Sequence, residues 1–474
     1  MGFERSPRRP GEKALRRRML DSRTEVEYEK SAGESGLAQR PDHAGDESGR
    51  DIGRAAMRKA TLRLIPLLAL GYGAAYMDRV NISFASLQMN RDLHFSSTVY
   101  GLGAGLFFLS YAACEIPSNL LLLRFGARRW MARIMFTWGV LAIAMMFVRT
   151  PFQFYTIRFL LGMAEAGFFP GVIFYLMQWF PAEMRARTIT RFYISLPLSS
   201  VFMGSLAGLL LNLQGRLGLA GWQWLFLVEG LPPLALSVVF LLYLPSNPAE
   251  AKWLSSDERD WINKRLRLEN AAIATVVFEG KLSVLRDARV WLVGVFYCCM
   301  LGCSYSYTFS APVLIQRVTG LSVTKVGFIV ALIGLLGAAA MLLNGLHSDH
   351  ARERYWHVIL PCLTMAAAFL VAGSFEVEAV ALPAFALIMI VYSAMQGPVL
   401  AVPGEFLHGT SAAVGFAAMN MVGMAGGFLG PYWMGVARDH FGDYRYGLMT
   451  LAMPMLIAVG IMLYLRQEAR VRQS

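Results

Sequence analysis

The sequence predicts an all-α integral membrane fold of twelve helices in two six-helix bundles, and three observations carry that prediction. The chain has 474 residues, of which 56% are apolar and 16% charged, too few charges to cover the surface of a soluble protein of this length. Its apolar residues come in twelve long blocks. A polar stretch divides those blocks six and six, and the two halves share a register.

The blocks run, in order, over 62–77, 99–123, 130–148, 159–180, 194–213 and 224–244, then 290–309, 326–346, 358–373, 379–395, 412–436 and 448–465. A bilayer core about 30 Å thick takes about 20 helical residues, near the length of most of these blocks. Backbone groups inside lipid have to be paired within the segment, so long apolar blocks fold as helices. A membrane β-barrel would instead show short alternating segments, and these runs do not alternate. Residues 1–56 are rich in Arg, Glu, Ser and Gly and cannot build a core, which predicts a disordered tail. No apolar run follows the early basic cluster, so the tail does not read as a signal peptide. The domains expected are therefore this tail, a first bundle over 57–244, a polar loop over 245–288 and a second bundle with a short tail over 289–474. Within the loop, Ser255, Ser256, Asp257 and Glu258 read as a helix start with its cap and acidic first turn.

The formal net charge is +12, which in a soluble domain would point to nucleic acid. Here the cations alternate along the chain instead. Arg124, Arg128, Arg129 and Arg133 follow the second block, Arg185, Arg187 and Arg191 the fourth, Arg352 and Arg354 the eighth, and Arg466, Arg470 and Arg472 the last. The intervening loops carry Arg91, Arg149 and Arg216 singly. By the positive-inside bias, the basic loops and both termini are expected in the cytoplasm, and no nucleic-acid partner is expected.

The halves repeat. Gly101, Leu106, Ala112, Leu120, Arg128 and Trp130 recur as Gly327, Leu332, Ala338, Leu346, Arg354 and Trp356, each 226 residues on. Parallel repeats of this kind place a site between the halves near the membrane midplane. Glycines such as Gly101, Gly103 and Gly105, or Gly423, Gly426, Gly427 and Gly430, allow close helix approach. The five cysteines lie inside apolar blocks with no metal-ligand or disulfide spacing. The histidines, among them His347, His350, His357, His408 and His440, are expected near helix ends and apart from one another. No metal, cofactor or enzymatic constellation is expected.

Four charges within the predicted helices stand out and need a reason, because a charge at the bilayer centre costs several kcal/mol. Asp78 and Arg79 lie in the first predicted helix; Arg158 and Glu165 lie in the fourth. Arg158 and Glu165 are two turns apart and project from one helix face, while the adjacent Asp78 and Arg79 point about 100° apart. Guanidinium groups grip carboxylates with a planar fork, so Arg79 and Arg158 are candidates to hold an anion. Asp78 and Glu165 can titrate and are candidates to carry a proton. Tyr76, Tyr111, Tyr305, Tyr307, Tyr392, Gln396 and Asn420 can line a cavity. Glu115 is read as a structural or gating residue, and Arg317 and Lys325 as solvated.

These residues resemble the major facilitator superfamily, and within it the anion:cation symporter family, whose members include bacterial tartrate, phthalate and hydroxyphenylacetate permeases. The resemblance runs from Met57 onward. It rests on Tyr76-Met77-Asp78-Arg79-Val80-Asn81-Ile82-Ser83-Phe84-Ala85, on Arg158 to Gly171, on Gly221-Trp222-Gln223-Trp224-Leu225-Phe226, and on Leu254-Ser255. It implies two six-helix bundles with alternating access, a small organic anion and a proton as partners, a bacterial inner membrane, and a pathway complete in one chain. By the resemblance, Asp78 and Glu165 are proton sites, Arg79 and Arg158 contact substrate, and Asn420 is the asparagine of the eleventh-helix motif. Gating falls on the loop residues Arg128, Asp349 and Arg354. The chain departs from the pattern at Leu123, where the first loop motif has an aspartate, at Ile333-Gly334 in the eighth helix, near Pro312 and Pro403, and at Met424. These departures imply a substrate bulkier or less polar than those of the named permeases.

Overall fold

A computed structural model describes residues 43–193, 195–274, 283–407 and 411–473. Among them, twelve helices are long and apolar enough to cross a membrane. They are α1 (Asp51–Asp92), α2 (Ser97–Phe125), α3 (Ala127–Phe147), α4 (Pro151–Met177), α5 (Arg191–Leu211), α6 (Gly221–Tyr243), α7 (Ala288–Thr319), α8 (Val323–Ala351), α9 (Trp356–Ser374), α10 (Glu378–Glu405), α11 (Val414–Phe441) and α12 (Tyr444–Val471). The expected tail over 1–56 falls outside the described residues up to 42. Beyond that the chain departs from expectation, because the first helix already runs from His43. An apolar-block reading does not detect such a polar extension of the helix.

Local signals set the boundaries. Ser96 accepts from the Val99 amide and starts α2. Thr150 and Gln153 form a reciprocal capping box, with Pro151 as the first residue of α4. Gly126 and Gly320, at φ 81° and 63°, stop α2 and α7. The polar stretch forms the connecting helix Ser256–Ala274, and the Ser255 and Glu258 side chains and amides bond reciprocally at its start, as the sequence anticipates. Lys59–Glu258 (2.8 Å), Arg185–Glu269 (2.6 Å) and Arg265–Glu183 tie this helix to the first bundle.

Each bundle has its own apolar core. Many large apolar side chains, including Leu70, Phe136, Phe202, Leu242, Leu343 and Leu429, are exposed, as lipid-facing residues are. The bundles meet along two seams, α2 against α11 and α5 against α8. Glycine is required there. A Cβ on Gly101 would lie 2.3 Å from the Pro431 carbonyl oxygen, and one on Gly204 would lie 2.4 Å from that of Gly327. Both contacts sit toward the end opposite the basic loops. At that end Asp439 of α11 accepts from the Ser97 and Thr98 amides (3.0 and 2.7 Å), and Asn212 donates to Thr324 (2.7 Å). Tyr100 donates to the Phe309 carbonyl (3.0 Å). Among the described residues, the hydrogen bonds between bundles reach from there to Glu115–Asn420. One end is thus tied by hydrogen bonds across the seams, and among the described residues no such bond is found at the basic end.

Two expectations change. His347 and His357 do not stand apart: His347 Nδ1 lies 2.7 Å from His357 Nε2, and Glu353 lies 3.3 Å from His357 Nδ1. Arg352, at φ 50°, reverses the chain between α8 and α9 and brings the two helix ends together. His408 lies outside the described residues. Arg317 is not merely solvated, since it holds Asp443 through two hydrogen bonds (3.1 and 2.8 Å).

Asp443 also caps the helix start of α12 by accepting from the Arg445 amide. Burial raises its carboxyl, but the Arg317 and Arg445 donors outweigh that and hold it below the ordinary aspartate value. The stabilisation is therefore complete above about pH 3.9 and is lost as pH falls through the lower folded value. Asp443→Ala is expected to cost about 1–2 kcal/mol at pH 7. The difference in thermal midpoint from the wild type in detergent should shrink at acid pH.

Candidate functional site

α1 carries the segment Tyr76–Asn81 through the middle of the first bundle. Asp78 and Arg79 leave the helix in different directions, as adjacent residues must. Arg79 reaches α4 and pairs with Glu165. Its guanidinium also lies 5.4 Å from the ring centres of Phe107 and of Tyr111 on α2. Arg158, two turns before Glu165 on α4, lies 4.9 Å from the same Phe107 ring. It donates to the Gly103 and Ala104 carbonyls at 3.3 and 3.5 Å. Phe107 therefore contacts both guanidinium groups, in arrangements that favour cation–π attraction.

The backbone of α4 makes this possible. A Cβ on Gly162 would lie 2.1 Å from the Phe107 carbonyl oxygen, so glycine lets α4 press against α2. Gly167, at φ 88°, breaks α4 just beyond Glu165. Glu165 thus ends the helix Pro151–Glu165, where the dipole repels a carboxylate and Arg79 offsets the repulsion.

Asp78, Arg158 and Glu165 are 2%, 1% and 2% exposed, so water does not screen them. The Arg79 side chain keeps 12% exposure. The two arginines consequently differ. Arg79 is reachable from the interface between the bundles, near Tyr305 of α7, whereas Arg158 is enclosed between α2 and α4. Asp78 Oδ1 accepts from Asn81 at 3.4 Å, and Asp78 Oδ2 has no partner.

Of the other candidates, Tyr111 is buried beneath Arg79. Tyr76 lines a chamber of 540 Å³, counting its open mouth, together with Ser200, Tyr307, Ile333, Gly334 and Met389. That chamber lies between the bundles toward the tied end. Asn420 of α11 donates to Glu115 of α2 at 3.0 Å, so both belong to the interface. Gln396 is half-buried on α10, and the structure gives it no hydrogen bond to the charged group. Arg128 pairs with Glu250 at 3.9 Å and Asp349 with Arg354 at 3.8 Å. Glu250 thus supplies the acid that Leu123 does not, and each of these loop contacts stays on its own half.

The sequence reading missed Glu229 on α6. It is 5% exposed, with neither carboxylate oxygen hydrogen-bonded, and it lies beside Asn81 and Asp78. The signal was available: a carboxylate inside the apolar block over 224–244. No group of three metal-ligating side chains is found among the described residues.

Comparison with known proteins now decides the family. The model of the Major Facilitator Superfamily matches residues 68–431. The chain belongs to this superfamily. This facilitator is 43% identical over 424 residues to an Agrobacterium vitis protein named "Putative tartrate transporter", covering 88% of this chain and 96% of that one. It is 37% identical over 424 residues to a "Quinolone resistance transporter" of Acinetobacter baumannii, covering 90% and 98%. Among solved structures it is similar to a bacterial homologue of the human lysosomal transporter Spinster in an inward-facing, occupied conformation, with a TM-score of 0.70 and 16% identity over 85% and 96% of the two chains. That likeness shows the fold.

The Arg79–Glu165 pair is testable through stability. Arg79→Ala leaves a buried carboxylate without its cation and is expected to cost about 3–5 kcal/mol. Removing both charges, as Arg79→Leu with Glu165→Leu, should cost less than the single change. Thermal unfolding of purified protein in detergent measures both.

Proposed function

We propose that this facilitator is a secondary transporter that carries a small organic carboxylate together with a proton by alternating access. The observation that carries the reading is the Arg79–Glu165 pair, a guanidinium at the interface of the bundles held by a carboxylate that can take a proton. Protonation of Glu165 releases Arg79, whose planar fork then accepts the substrate carboxylate. Asp78, close to both arginines, is the second proton site. Arg158 holds the field of the site from its enclosed position. Loading proton and anion together keeps the group near neutrality, which lowers the desolvation cost of closing around it.

The two seams and their hydrogen bonds tie the bundles together at the end opposite the basic loops. The basic end is the cytoplasmic one by the positive-inside bias, so this is the inward-facing state in a bacterial inner membrane. The apolar lining of the chamber beside Tyr76 supports a substrate with an apolar body. Ile333 and Gly334, departures from the family pattern, form part of its wall. The relative named as a tartrate transporter supports a carboxylate cargo. A second reading is export of an amphipathic carboxylate through the same site, supported by the apolar chamber and by the relative named for quinolone resistance.

Uptake into proteoliposomes decides between these readings. An inward proton gradient should drive protonophore-sensitive accumulation of one member of a panel of labelled aromatic and aliphatic acids. Accumulation only when the gradient is reversed would favour export. Glu165→Gln should reduce accumulation to the level that the substrate gradient alone sets, with counterflow retained. Arg79→Lys, which loses the bidentate geometry, should raise KM about tenfold.

A further inference from the structure

The two seams between the bundles are one construction built twice. On the first, α11 lays Pro431, Gly435 and Asp439 against the start of α2. A Cβ on Gly101 would collide with the Pro431 carbonyl oxygen, one on Gly435 would collide with the Ser97 carbonyl oxygen, and Asp439 bonds the Ser97 and Thr98 amides. On the second, α5 lays Gly204, Gly208 and Asn212 against the start of α8. A Cβ on Gly327 would collide with the Gly204 carbonyl oxygen, one on Gly208 would lie 2.7 Å from the Thr324 Cα, and Asn212 bonds the Thr324 hydroxyl. The positions correspond in the repeat. Thr98 and Gly101 recur as Thr324 and Gly327, 226 residues on, and Gly204, Gly208 and Asn212 recur as Pro431, Gly435 and Asp439, 227 residues on. A spacing of four puts each of these sets on one helix face.

The copies differ in the groups that close them. Asp439 brings a carboxylate to a helix start: Oδ1 accepts from the Ser97 amide at 3.0 Å and Oδ2 from the Thr98 amide at 2.7 Å. The helix dipole favours an anion there, and charge-assisted bonds are about twice as strong as neutral ones. Asn212 makes one neutral bond, to Thr324 Oγ1 at 2.7 Å. Ser322, at the start of α8, makes no capping bond with its side chain, whereas Ser96 caps α2. The first seam has a further tie, the Tyr100 hydroxyl on the Phe309 carbonyl at 3.0 Å. Val326 stands at the corresponding place in the second half and has no hydroxyl to offer.

We propose that these are two latches of unequal strength, so that the α5–α8 seam parts before the α2–α11 seam when the end opposite the basic loops opens. Cargo crossing that end passes first along α5 and α8, while α2 and α11 still hold the halves together. This order rests on the bundles moving against each other, as the transport reading requires; the doubled construction of the seams does not.

A cysteine behind each seam reports its opening to a membrane-impermeant maleimide added outside intact bacterial cells. Ser310→Cys stands in the gap beside the Asp439 latch, which Ser97, Tyr100, Gly435 and Tyr444 also line. Val330→Cys stands one turn along α8 from Gly327, in the wall of the chamber beside Tyr76. Labelling is counted above that of the parent chain, which keeps its five native cysteines. Asn212→Ala weakens the first step of opening and should speed both reporters about threefold. Asp439→Asn weakens the second step alone; it should speed Ser310→Cys about fivefold and leave Val330→Cys unchanged. Asn212→Asp, which offers a carboxylate to the start of α8 as Asp439 does to α2, should slow both reporters, and it carries the test if Asn212→Ala does not fold. Asp439→Asn speeding both reporters, or Asn212 variants moving Val330→Cys alone, would overturn the order and leave the transport reading standing. Absence of labelling at both reporters in every variant would overturn the proposal and the transport reading together, because that end then never opens.

Discussion

The architecture around the midplane depends on one constraint: charges placed where water cannot screen them have to satisfy one another. Arg79 and Glu165 meet this by pairing across α1 and α4. Arg158 meets it by donating to two carbonyls of α2 and by lying over Phe107. These contacts need three helices close together, which explains the glycine at 162 and the chain break at Gly167. A substitution that widened the α2–α4 approach would therefore disturb the charges before it disturbed the apolar core.

The same constraint makes the site responsive. A buried ion pair is a poor source of stability, because desolvation cancels much of the attraction. It is also sensitive to any competitor that brings its own charge. On the function proposed, a substrate carboxylate or a proton would alter the balance at Arg79 and Glu165 without rearranging the fold. The seams supply the complementary mechanical property. Gly101 against Pro431 and Gly204 against Gly327 hold backbones in contact through small surfaces. Polar locks such as Asp439 on the start of α2 fasten the end opposite the basic loops. The Glu115–Asn420 bond joins the halves on the far side of the charged group from these locks.

The fold was legible because it follows from local composition. Twelve apolar blocks, basic loops in alternation and a constant offset between Gly101 and Gly327 or Arg128 and Arg354 are all visible in a linear chain. They follow from hydrocarbon thickness and from the need to pair the backbone internally, which act on each segment separately. The four intramembrane charges were legible for the same reason, since each is an exception in or at the edge of a largely apolar run. The family resemblance, carried by the segments around Asp78 and Glu165, added their grouping.

What the sequence could not decide were the relations that exist only after packing. That Arg79 rather than Arg158 faces the interface depends on how α4 leans on α2. That Glu229 stands beside Asn81 depends on how α6 lies against α1. That His347 meets His357 depends on a reversal at Arg352. That Glu250 serves Arg128 in place of an acid at 123 depends on where the connecting segment lies. Apolar periodicity gives each helix its length but leaves its rotation and neighbours open, because lipid and protein interiors are equally apolar to a leucine. In this protein the sequence by itself determined the spans and the charged residues they carry. The tertiary structure decided which charge is reachable and which is enclosed, because those are properties of distance and burial.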